Sequence, residues 1–173
     1  MNSRKGWLSE KDWKFVQKKV PIIAVDLMPI ELGGLARENK VGLIRREVPD
    51  GGTGWCLVGG RVRRAETLRE AASRHLRDTL GPKVLFSLPR DTQPLLVAQY
   101  GPTKKQGVLL DPRRHVVALT YAIEIRGTPV PMGEALDFDW FNLSALPPDQ
   151  EFGFEQKVVV RKCISKLGWS RAG

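Results

Sequence analysis

The sequence predicts an α/β fold in which a mixed β-sheet lies between helices. Short segments rich in β-branched residues recur along the chain, and a few segments with helical character lie among them. Strands that are interspersed with helices favour a sheet that is covered on both faces. The 173 residues, 42% of them hydrophobic, suffice to bury one sizeable core, so residues 1–173 are expected to form a single domain.

Residues 10–20 are expected to form a helix, within an N-terminal helical region that spans residues 1–20. Ser9 is a plausible N-cap, and Asp12 stands three residues later, where an acidic partner supports such a cap. Pro21 stops the helix because its nitrogen cannot donate a backbone hydrogen bond.

Residues 22–30 and 41–46 are expected to form two strands of a hairpin or meander. The first segment is rich in β-branched residues, and Gly33-Gly34 supply the turn. Residues 49–54 contain three glycines, which regular structure holds only at an entropic cost, so this segment is interpreted as a loop. A brief strand is expected at residues 55–58.

Residues 67–80 are expected to form the central helix, which Gly81 and Pro82 end in the order that a helix C-terminus favours. The helical period predicts a core-facing arc that contains Leu68, Ala72, Leu76 and Leu80. The solvent-facing side contains Glu70, Ser73 and Arg77. The boundary, where a helix can present a site to a cleft, contains Ala71, Arg74, His75 and Asp78.

The second half of the chain predicts four more strands and a last helix. Residues 102–112 are interpreted as a mobile connection. The C-terminal helical region is expected at residues 153–168, with its helix at 154–167 ended by Gly168. The strands are expected at residues 84–88, 95–100, 115–126 and 137–143.

The charge balance favours an anionic partner. The chain has 28 Lys and Arg against 19 Asp and Glu, a formal net charge of +9. The basic residues cluster at residues 61–77 and along the last helix, and neither cluster contains the interleaved aromatic residues that single-stranded nucleic acid stacks on. We therefore expect a phosphorylated small molecule or nucleotide derivative rather than nucleic acid, and a solvated basic face on the last helix.

The sequence predicts a cytoplasmic protein without a membrane partner. Its first residues lack the apolar core of a signal peptide, and the longest apolar run, residues 21–30, is too short to span a bilayer. Cys56 and Cys163 are too few for a disulfide framework and lack metal-ligand spacing, so both are expected to be small core residues. The oligomeric state stays open, and a homodimer is one candidate.

Residues 59–81 carry a distinctive spacing. The pattern is Gly, five residues, Glu, seven residues, then Arg-Glu-apolar-any-Glu-Glu-any-Gly, and the residues that match it are Gly60, Glu66, Arg74, Leu76 and Gly81. The segment resembles a degenerate Nudix box, the sequence motif of the Nudix hydrolase superfamily. The glutamates that bind metal in that motif are replaced here by His75, Asp78 and Thr79.

The surrounding sequence strengthens this resemblance. Residues 55–60 resemble the aromatic-any-Leu-Pro-Gly-Gly run of Nudix proteins, with Val58 in place of proline, and residues 134–141 look like a late strand of the family. The resemblance implies a Nudix-type α/β/α sandwich with a mixed β-sheet between helices.

Within the superfamily the chain resembles GDP-mannose mannosyl hydrolases. The likeness covers the N-terminal helix and the runs at residues 59–62, 66–68 and 115–117. It departs from that family at Thr79, where the family keeps a glutamate, and near Gly153, where the family has its catalytic histidine.

The resemblance also implies roles for individual residues. Gly60, Glu66, Arg74 and Gly81 belong to the structural motif, in which the glutamate and Arg74 pair to brace the loop against the helix. The Gly59 carbonyl and Asp78 would bind a divalent cation, Mg²⁺ or Mn²⁺. Arg61 would bind substrate phosphate, and Arg46 would lie near the leaving diphosphate, where guanidinium donors stabilise developing charge.

Three further side chains are candidates on chemical grounds. His75, three residues from Asp78, is either a nitrogen ligand or a partner in a helix hydrogen bond. Asp26 is a lone acid in an apolar strand, which favours a polar contact to a sugar or base. Glu134 is a candidate substrate-binding carboxylate, and further acids that are either near the site or on the surface are Asp137, Glu151 and Glu155.

Two functions fit this pattern. One is a divergent hydrolase that uses a divalent metal to cleave a nucleoside diphosphate linked to another moiety, with nucleotide sugars as candidate substrates. The alternative is a catalytically inactive Nudix-fold protein that binds a phosphorylated ligand as a sensor or structural partner. A basic nucleic-acid-binding module would explain only the charge.

Overall fold

One mixed β-sheet with helices on both faces forms the fold. The computed structural model describes residues 8–34 and 37–169, so residues 1–7 of the expected N-terminal region lie outside the described residues. None of the helices in the described part of the chain is long and apolar enough to cross a bilayer. The helices are α1 (Glu10–Lys19), α2 (Leu68–Leu80) and α3 (Lys157–Lys166). The strands are β1 (Ile22–Glu31), β2 (Lys40–Glu47), β3 (Thr53–Cys56), β4 (Val58–Arg61), β5 (Leu85–Phe86), β6 (Leu96–Gly101), β7 (Val108–Leu110), β8 (Val116–Arg126) and β9 (Asp137–Asn142).

Two parallel strands, β1 and β8, occupy the centre of the sheet. Their register runs from Ile22 opposite Val116 to Ile30 opposite Glu124. The main strand order is β3-β2-β1-β8-β6-β7, with β4 beside β1, β5 beside β8 and β9 beside β2. Strand β1 is buried along most of its length, as is typical of a strand covered on both faces.

Strand β1 contributes side chains to the core on both faces of the sheet. Val25 and Leu27 pack with α2, whereas Ala24 and Met28 pack with α3. Successive residues of a strand point to opposite faces, so one apolar strand can supply both layers. The predicted α/β class, with a mixed sheet between helices, is confirmed.

The central helix α2 is capped at both ends. Thr67 Oγ1 accepts the Glu70 N–H at 3.2 Å, and the Glu70 carboxylate accepts the Thr67 N–H at 2.8 Å, which completes a capping box. Gly81 ends the helix with φ of +84°, a conformation that side-chain-bearing residues rarely adopt. The predicted core position of Leu68 is wrong: it is 37% exposed, because the buried part of α2 begins only at Ala71.

Replacing Thr67 with alanine is expected to lower the free energy of unfolding by about 1 kcal/mol, because the Glu70 N–H loses its acceptor. Thr67→Ser keeps the hydroxyl and should cost less than half as much. Chemical denaturation of both variants measures the difference. Equal destabilisation by the two substitutions would show that the methyl group, rather than the cap, matters at this position.

The C-terminal helix starts later than expected. Residues 153–155 form a short 3₁₀ turn, in which Phe154 and Glu155 have φ of 55° and therefore cannot continue a right-handed α-helix. Helix α3 begins at Lys157. The turn matters for function because Phe154 lies in the cleft described below.

Two loop assignments and two strand assignments are corrected. The connection at residues 102–112 contains β7, which pairs in parallel with β6, and the loop at residues 49–54 contains the start of β3. The single strand expected at residues 55–58 is two strands, interrupted where the Leu57 N–H donates to Gln156 Oε1 at 2.7 Å instead of to a neighbouring strand. The strand expected at residues 84–88 is reduced to β5.

The cysteines are confirmed as core residues. Cys56 and Cys163 are free thiols, 1% and 0% exposed. They pack on opposite faces of the sheet, in the α2 and α3 layers. Burial raises the pKa of Cys56 to about 12, so this thiol stays protonated at neutral pH.

Candidate active site

The loop between β4 and α2 approaches the rest of the protein too closely for side chains at two glycines. A Cβ atom on Gly59 would collide with the backbone carbonyl of Val25 on the neighbouring strand, and one on Gly60 would lie 2.7 Å from His75 Cε1. The two glycines therefore let β4 lie against both β1 and the flank of α2.

Glu66 and Arg74 brace this loop against α2. Arg74 Nε donates to Glu66 Oε1 at 2.6 Å and Arg74 Nη2 donates to Oε2 at 2.8 Å, while the Arg63 N–H donates to Oε2 at 2.8 Å. The hydrogen bond from Arg74, above all, lowers the pKa of Glu66 from 4.5 to about 2. The ion pair that the resemblance implied is present, as part of the motif's structure.

His75 is neutral and makes contacts inside the motif. Its Nε2 lies 3.2 Å from both the Arg61 carbonyl oxygen and Arg74 Nη1, so it can donate to the first or accept from the second. Burial, assisted by the charge of Arg74, lowers the pKa of His75 to about 4. At neutral pH this residue holds the loop to the helix and carries no charge toward a ligand.

A cleft of about 680 Å³ opens beside the loop and α2. It brings together most of the residues that the sequence analysis selected. Glu66 and Gly81 do not line it, and their contacts are those of the brace and the helix end. The selected residues that do line it are Asp26, Arg46, Gly59, Gly60, Arg61, Arg74, His75, Asp78 and Glu134.

The carboxylates of Asp26 and Glu134 lie on the same wall of the cleft as Arg46. Arg46 Nη1 lies 2.7 Å from Glu134 Oε2, and Arg46 Nε is buried without a hydrogen-bond partner among the described residues. Burial raises the pKa of Glu134, and the charge of Arg46 opposes that effect. The pair with Glu134 holds the Arg46 guanidinium in a fixed position at the cleft, where it can attract an anionic ligand.

Asp26 has the partner that a buried acid requires. Tyr100 Oη donates to Asp26 Oδ2 at 3.1 Å, and both residues line the cleft. Asp26 is 8% exposed, and burial raises its pKa to about 6 against the opposing effects of Tyr100 and Arg46. The carboxyl group therefore changes charge just below neutral pH and presents a hydrogen-bonding group to the cleft.

Aromatic rings hold four arginines along the cleft. Phe154 contacts Arg46 and Arg113, with guanidinium carbons 5.7 and 4.6 Å from the ring centroid. Trp13 of α1 contacts the other two: Arg61 lies 4.0 Å and Arg114 5.2 Å from its ring. Cation–π contacts of this kind are attractive and fix the planes of the guanidinium groups.

Comparison with known proteins gives this chain a family. Residues 3–169 match a family described as a domain of unknown function, DUF4916. The chain belongs to the DUF4916 family. This DUF4916 protein is also 27% identical over 144 residues to an ADP-ribose pyrophosphatase of Methanocaldococcus jannaschii, an alignment that covers 82% of this chain and 72% of the relative.

Solved structures share the fold of the DUF4916 protein. A structure from Jonesia denitrificans, described as a possible asymmetric diadenosine tetraphosphate hydrolase, is 29% identical with a TM-score of 0.81, over 90% of this chain and 99% of the other. A MutT Nudix hydrolase from Burkholderia pseudomallei shares the fold at 20% identity with a TM-score of 0.62, over 83% and 98% of the two chains. The expected Nudix-type fold is confirmed.

The donors of the DUF4916 protein fit a divalent cation only together with a phosphate group. On α2, Asp78 and Thr79 both line the cleft, but Thr79 is only 3% exposed and carries no charge. Residues 8–34 and 37–169 contain no group of three or more His, Cys, Asp or Glu side chains that could hold a metal ion. Of the late acids, Glu134 lines the cleft and Asp137, Glu151 and Glu155 do not.

The backbone carbonyl of Gly59 is a second candidate ligand in the cleft that Asp78 lines. The Val62 N–H donates to the Ile23 carbonyl at 2.9 Å, and in an antiparallel ladder hydrogen-bonded pairs alternate with non-bonded ones. The pairs Val62–Ile23 and Gly60–Val25 are therefore bonded, and the Gly59 carbonyl points away from β1. One carboxylate, one carbonyl and phosphate oxygens are an acceptable set for Mg²⁺.

Sequence reasoning missed several residues of the cleft in this DUF4916 protein. They come from α1, from β6, from the connection before β8 and from the turn before α3, and they are Trp13, Tyr100, Asp111, Arg113, Arg114, Phe154 and Gln156. The pair Arg113-Arg114 was visible as charge, but it follows a segment interpreted as a mobile connection. Only the packing of β7 and β8 shows that this connection turns into the cleft.

Proposed function

We propose that this protein hydrolyses a nucleoside diphosphate linked to another moiety. The observation that carries the proposal is the cleft itself: six arginines line it beside the degenerate box, namely Arg46, Arg61, Arg63, Arg74, Arg113 and Arg114. Arginine is suited to phosphate because its planar donors match two phosphate oxygens at once. The relatives named as an ADP-ribose pyrophosphatase and a diadenosine tetraphosphate hydrolase support a substrate of this class.

Within this proposal the arginines bind and stabilise the diphosphate. Arg61 holds a phosphate of the substrate, and Arg46 stabilises the charge that develops on the departing phosphate. Asp26 and Glu134 lie on the same side of the cleft as Arg46, where they would contact the sugar or base. His75 keeps the loop in place, since its Nε2 contacts only motif atoms.

The proposed cofactor is Mg²⁺ or Mn²⁺, held by Asp78, the Gly59 carbonyl and the phosphates of the substrate. When bound, the cation would neutralise charge on the diphosphate. A nucleotide sugar is the proposed substrate type, with ADP-ribose and GDP-mannose as the first compounds to test. GDP-mannose follows from the sequence resemblance, and ADP-ribose follows from the name of the archaeal relative.

A screen of nucleotide sugars, dinucleoside polyphosphates and nucleoside triphosphates with Mg²⁺ or Mn²⁺ tests the hydrolase. Asp78→Ala is expected to lower turnover at least 100-fold, because the carboxylate is the side-chain ligand proposed for the cation. Asp91→Ala removes an exposed acid outside the cleft and should leave turnover unchanged. Absence of turnover with every compound, or equal turnover in both variants, would contradict the proposal.

The alternative function is ligand binding without catalysis. It is favoured by His75 and Thr79, which occupy two of the three positions where the Nudix box carries metal-binding glutamates. Ligand-induced thermal stabilisation without product release would indicate this function. His75→Glu is the more informative restoring variant, because His75 is only partly buried, whereas Thr79 is 3% exposed and leaves little room for a longer side chain. Metal-dependent turnover gained by His75→Glu would mean that the cleft had lost only its ligands.

A further inference from the structure

Two consecutive arginines point to different aromatic rings of the cleft. Arg113 lies over Phe154, on the wall that also holds Arg46, whereas Arg114 lies over Trp13, beside Arg61. Both arginines belong to the connection between β7 and β8. This connection therefore places Arg113 with Arg46 at the Phe154 ring. It places Arg114 with Arg61 at the Trp13 ring.

The charges of these two arginines are compensated differently. Arg113 donates to Asp111 through Nε at 2.8 Å and through Nη2 at 2.9 Å, so a buried carboxylate neutralises it. Arg114 is half-buried, and no carboxylate of residues 8–34 and 37–169 lies within ion-pair distance of it. Burial, followed by the charge of Arg113, lowers the pKa of Arg114; Arg46 and Arg61 act in the same direction, and the carboxylate of Asp111 acts in the opposite direction. Three arginine charges thus disfavour the charge of Arg114 and one carboxylate favours it, a balance that an anionic ligand would shift in favour of the charge.

Trp13 fixes the position of Arg114 from the N-terminal helix. Helix α1 has no buried side chain, and the hydrogen bonds and ion pair described for it lie within residues 9–20. Leu8, Glu10 and Trp13 line the cleft, and Trp13 contacts both Arg61 and Arg114. A cation–π contact leaves the N–H groups of a guanidinium available for hydrogen bonds. Trp13 can therefore position Arg114 without using its hydrogen-bond donors.

We propose that Arg114 is a phosphate-binding residue of the cleft and that Trp13 is the positioning residue that orients it. The ligand class is a diphosphate group or a longer phosphate chain, which Arg114 and Arg61, both in contact with Trp13, would bind together. The inference deepens the proposed function, because it names further residues for the same cleft. It does not require hydrolysis, since binding alone uses these groups.

Calorimetric titration of the full chain with inorganic pyrophosphate in EDTA tests the arginine, because chelation removes any contribution from a cation. Arg114→Gln is expected to weaken binding by roughly 10-fold to 100-fold, the range for losing a hydrogen bond to a charged group. The matched control is Arg126→Gln, which removes an exposed arginine outside the cleft and should bind as the unmodified protein does. Undetectable binding by the unmodified protein, unchanged binding by Arg114→Gln, or equal weakening by both variants would overturn the proposal.

A double-mutant cycle tests the role of Trp13. Trp13→Leu is expected to weaken pyrophosphate binding by roughly 3-fold to 10-fold, because Arg114 keeps its charge but loses its fixed plane. If Trp13 acts partly through Arg114, Trp13→Leu should weaken binding less in the Arg114→Gln background than in the unmodified protein, and the effect that remains belongs to Arg61, which Trp13 also contacts. Effects of the two substitutions that multiply would mean that Trp13 does not position Arg114, and that part of the proposal would fail.

The pyrophosphate titration and the turnover screen can succeed or fail independently of each other. Pyrophosphate binding that depends on Arg114, in a protein that turns over none of the screened compounds, would support this inference and contradict the hydrolase. Turnover that depends on Asp78, with binding unaffected by Arg114→Gln, would support the hydrolase and contradict this inference.

Discussion

Replacing Arg46 with glutamine is expected to lower the turnover of a nucleoside diphosphate substrate by about 100-fold to 1,000-fold, the cost of removing one preorganised donor from a developing negative charge. Arg46 is oriented by Glu134 at 2.7 Å and by the Phe154 ring at 5.7 Å. Its side chain lines the cleft, so the guanidinium is held in place before a substrate arrives.

The neighbouring residue provides a matched control for this variant. Arg45 precedes Arg46 on β2, is exposed, does not line the cleft, and donates from Nε to Thr53 Oγ1 at 3.0 Å. Arg45→Gln removes the same charge from the opposite face of the strand, so turnover should change by less than about 2-fold. Steady-state kinetics on both variants decides the matter: similar losses would mean that only the net positive charge of the protein affects the reaction.

Arg46→Lys separates charge from geometry. Lysine keeps the charge but cannot form a planar pair of hydrogen bonds, so most of the loss should remain and should fall on kcat more than on KM. Full activity of the lysine variant would show that a point charge is sufficient. In that case Arg46 would act by attracting the substrate rather than by stabilising the departing phosphate.

Replacing Glu66 with glutamine is expected to have the largest effect on stability, a loss of about 3 kcal/mol in the free energy of unfolding at pH 7. Both carboxylate oxygens are engaged, by Arg74 and by the Arg63 N–H, and the side chain is 13% exposed. The lowering of the Glu66 pKa from 4.5 to about 2 corresponds to an energy of this size. The loop and α2 should separate more easily as a result.

The loss of stability caused by Glu66→Gln is expected to become smaller as the pH falls. A carboxyl group whose pKa is lowered in the folded protein contributes its full stability above the ordinary pKa of 4.5, and the contribution disappears as the pH falls through the folded value of about 2. The difference in unfolding free energy between the two proteins should therefore shrink from about 3 kcal/mol at pH 7 to about 1 kcal/mol at pH 3. Urea denaturation at both pH values measures it.

An exposed glutamate serves as the control for this comparison. Glu124 pairs with Arg126 at 3.0 Å, but both side chains are largely in solvent, so Glu124→Gln should cost less than about 0.5 kcal/mol. A Glu66→Gln loss as small as that of the control, or a difference that does not change with pH, would show that the brace adds little to stability.

Local patterns in the sequence were sufficient to predict much of the fold and the motif. The N-cap at Ser9, the helix expected from residue 67, the apolar run of β1 and the long strand β8 all appeared close to their expected positions, because each depends on residues within a few positions of one another. The pairing of Glu66 with Arg74 was implied by the resemblance to the Nudix box. The roles proposed for the cleft residues remain predictions.

The turn before α3 shows where local patterns fail. Residues 154–156 have helix-compatible side chains, but Phe154 and Glu155 adopt positive φ values, and Glu155 accepts the Leu110 N–H at 3.0 Å. A contact between residues 45 positions apart does not appear as any periodicity in sequence. The same holds for Tyr100, which bonds to Asp26 from 74 positions away.

The sequence by itself determined the α/β class and the strand-loop-helix order around residues 59–81, because these depend on composition, period and spacing along the chain. Only the tertiary structure decided which side chains share the cleft. Arg114 and Trp13 are about a hundred positions apart and share no pattern in the sequence. Trp13 precedes β1 and Arg114 precedes β8. The two residues meet because β1 and β8 pair in parallel, so the N-terminal ends of both strands lie at the same end of the sheet. Proximity of this kind follows from the sheet topology, which long-range packing sets.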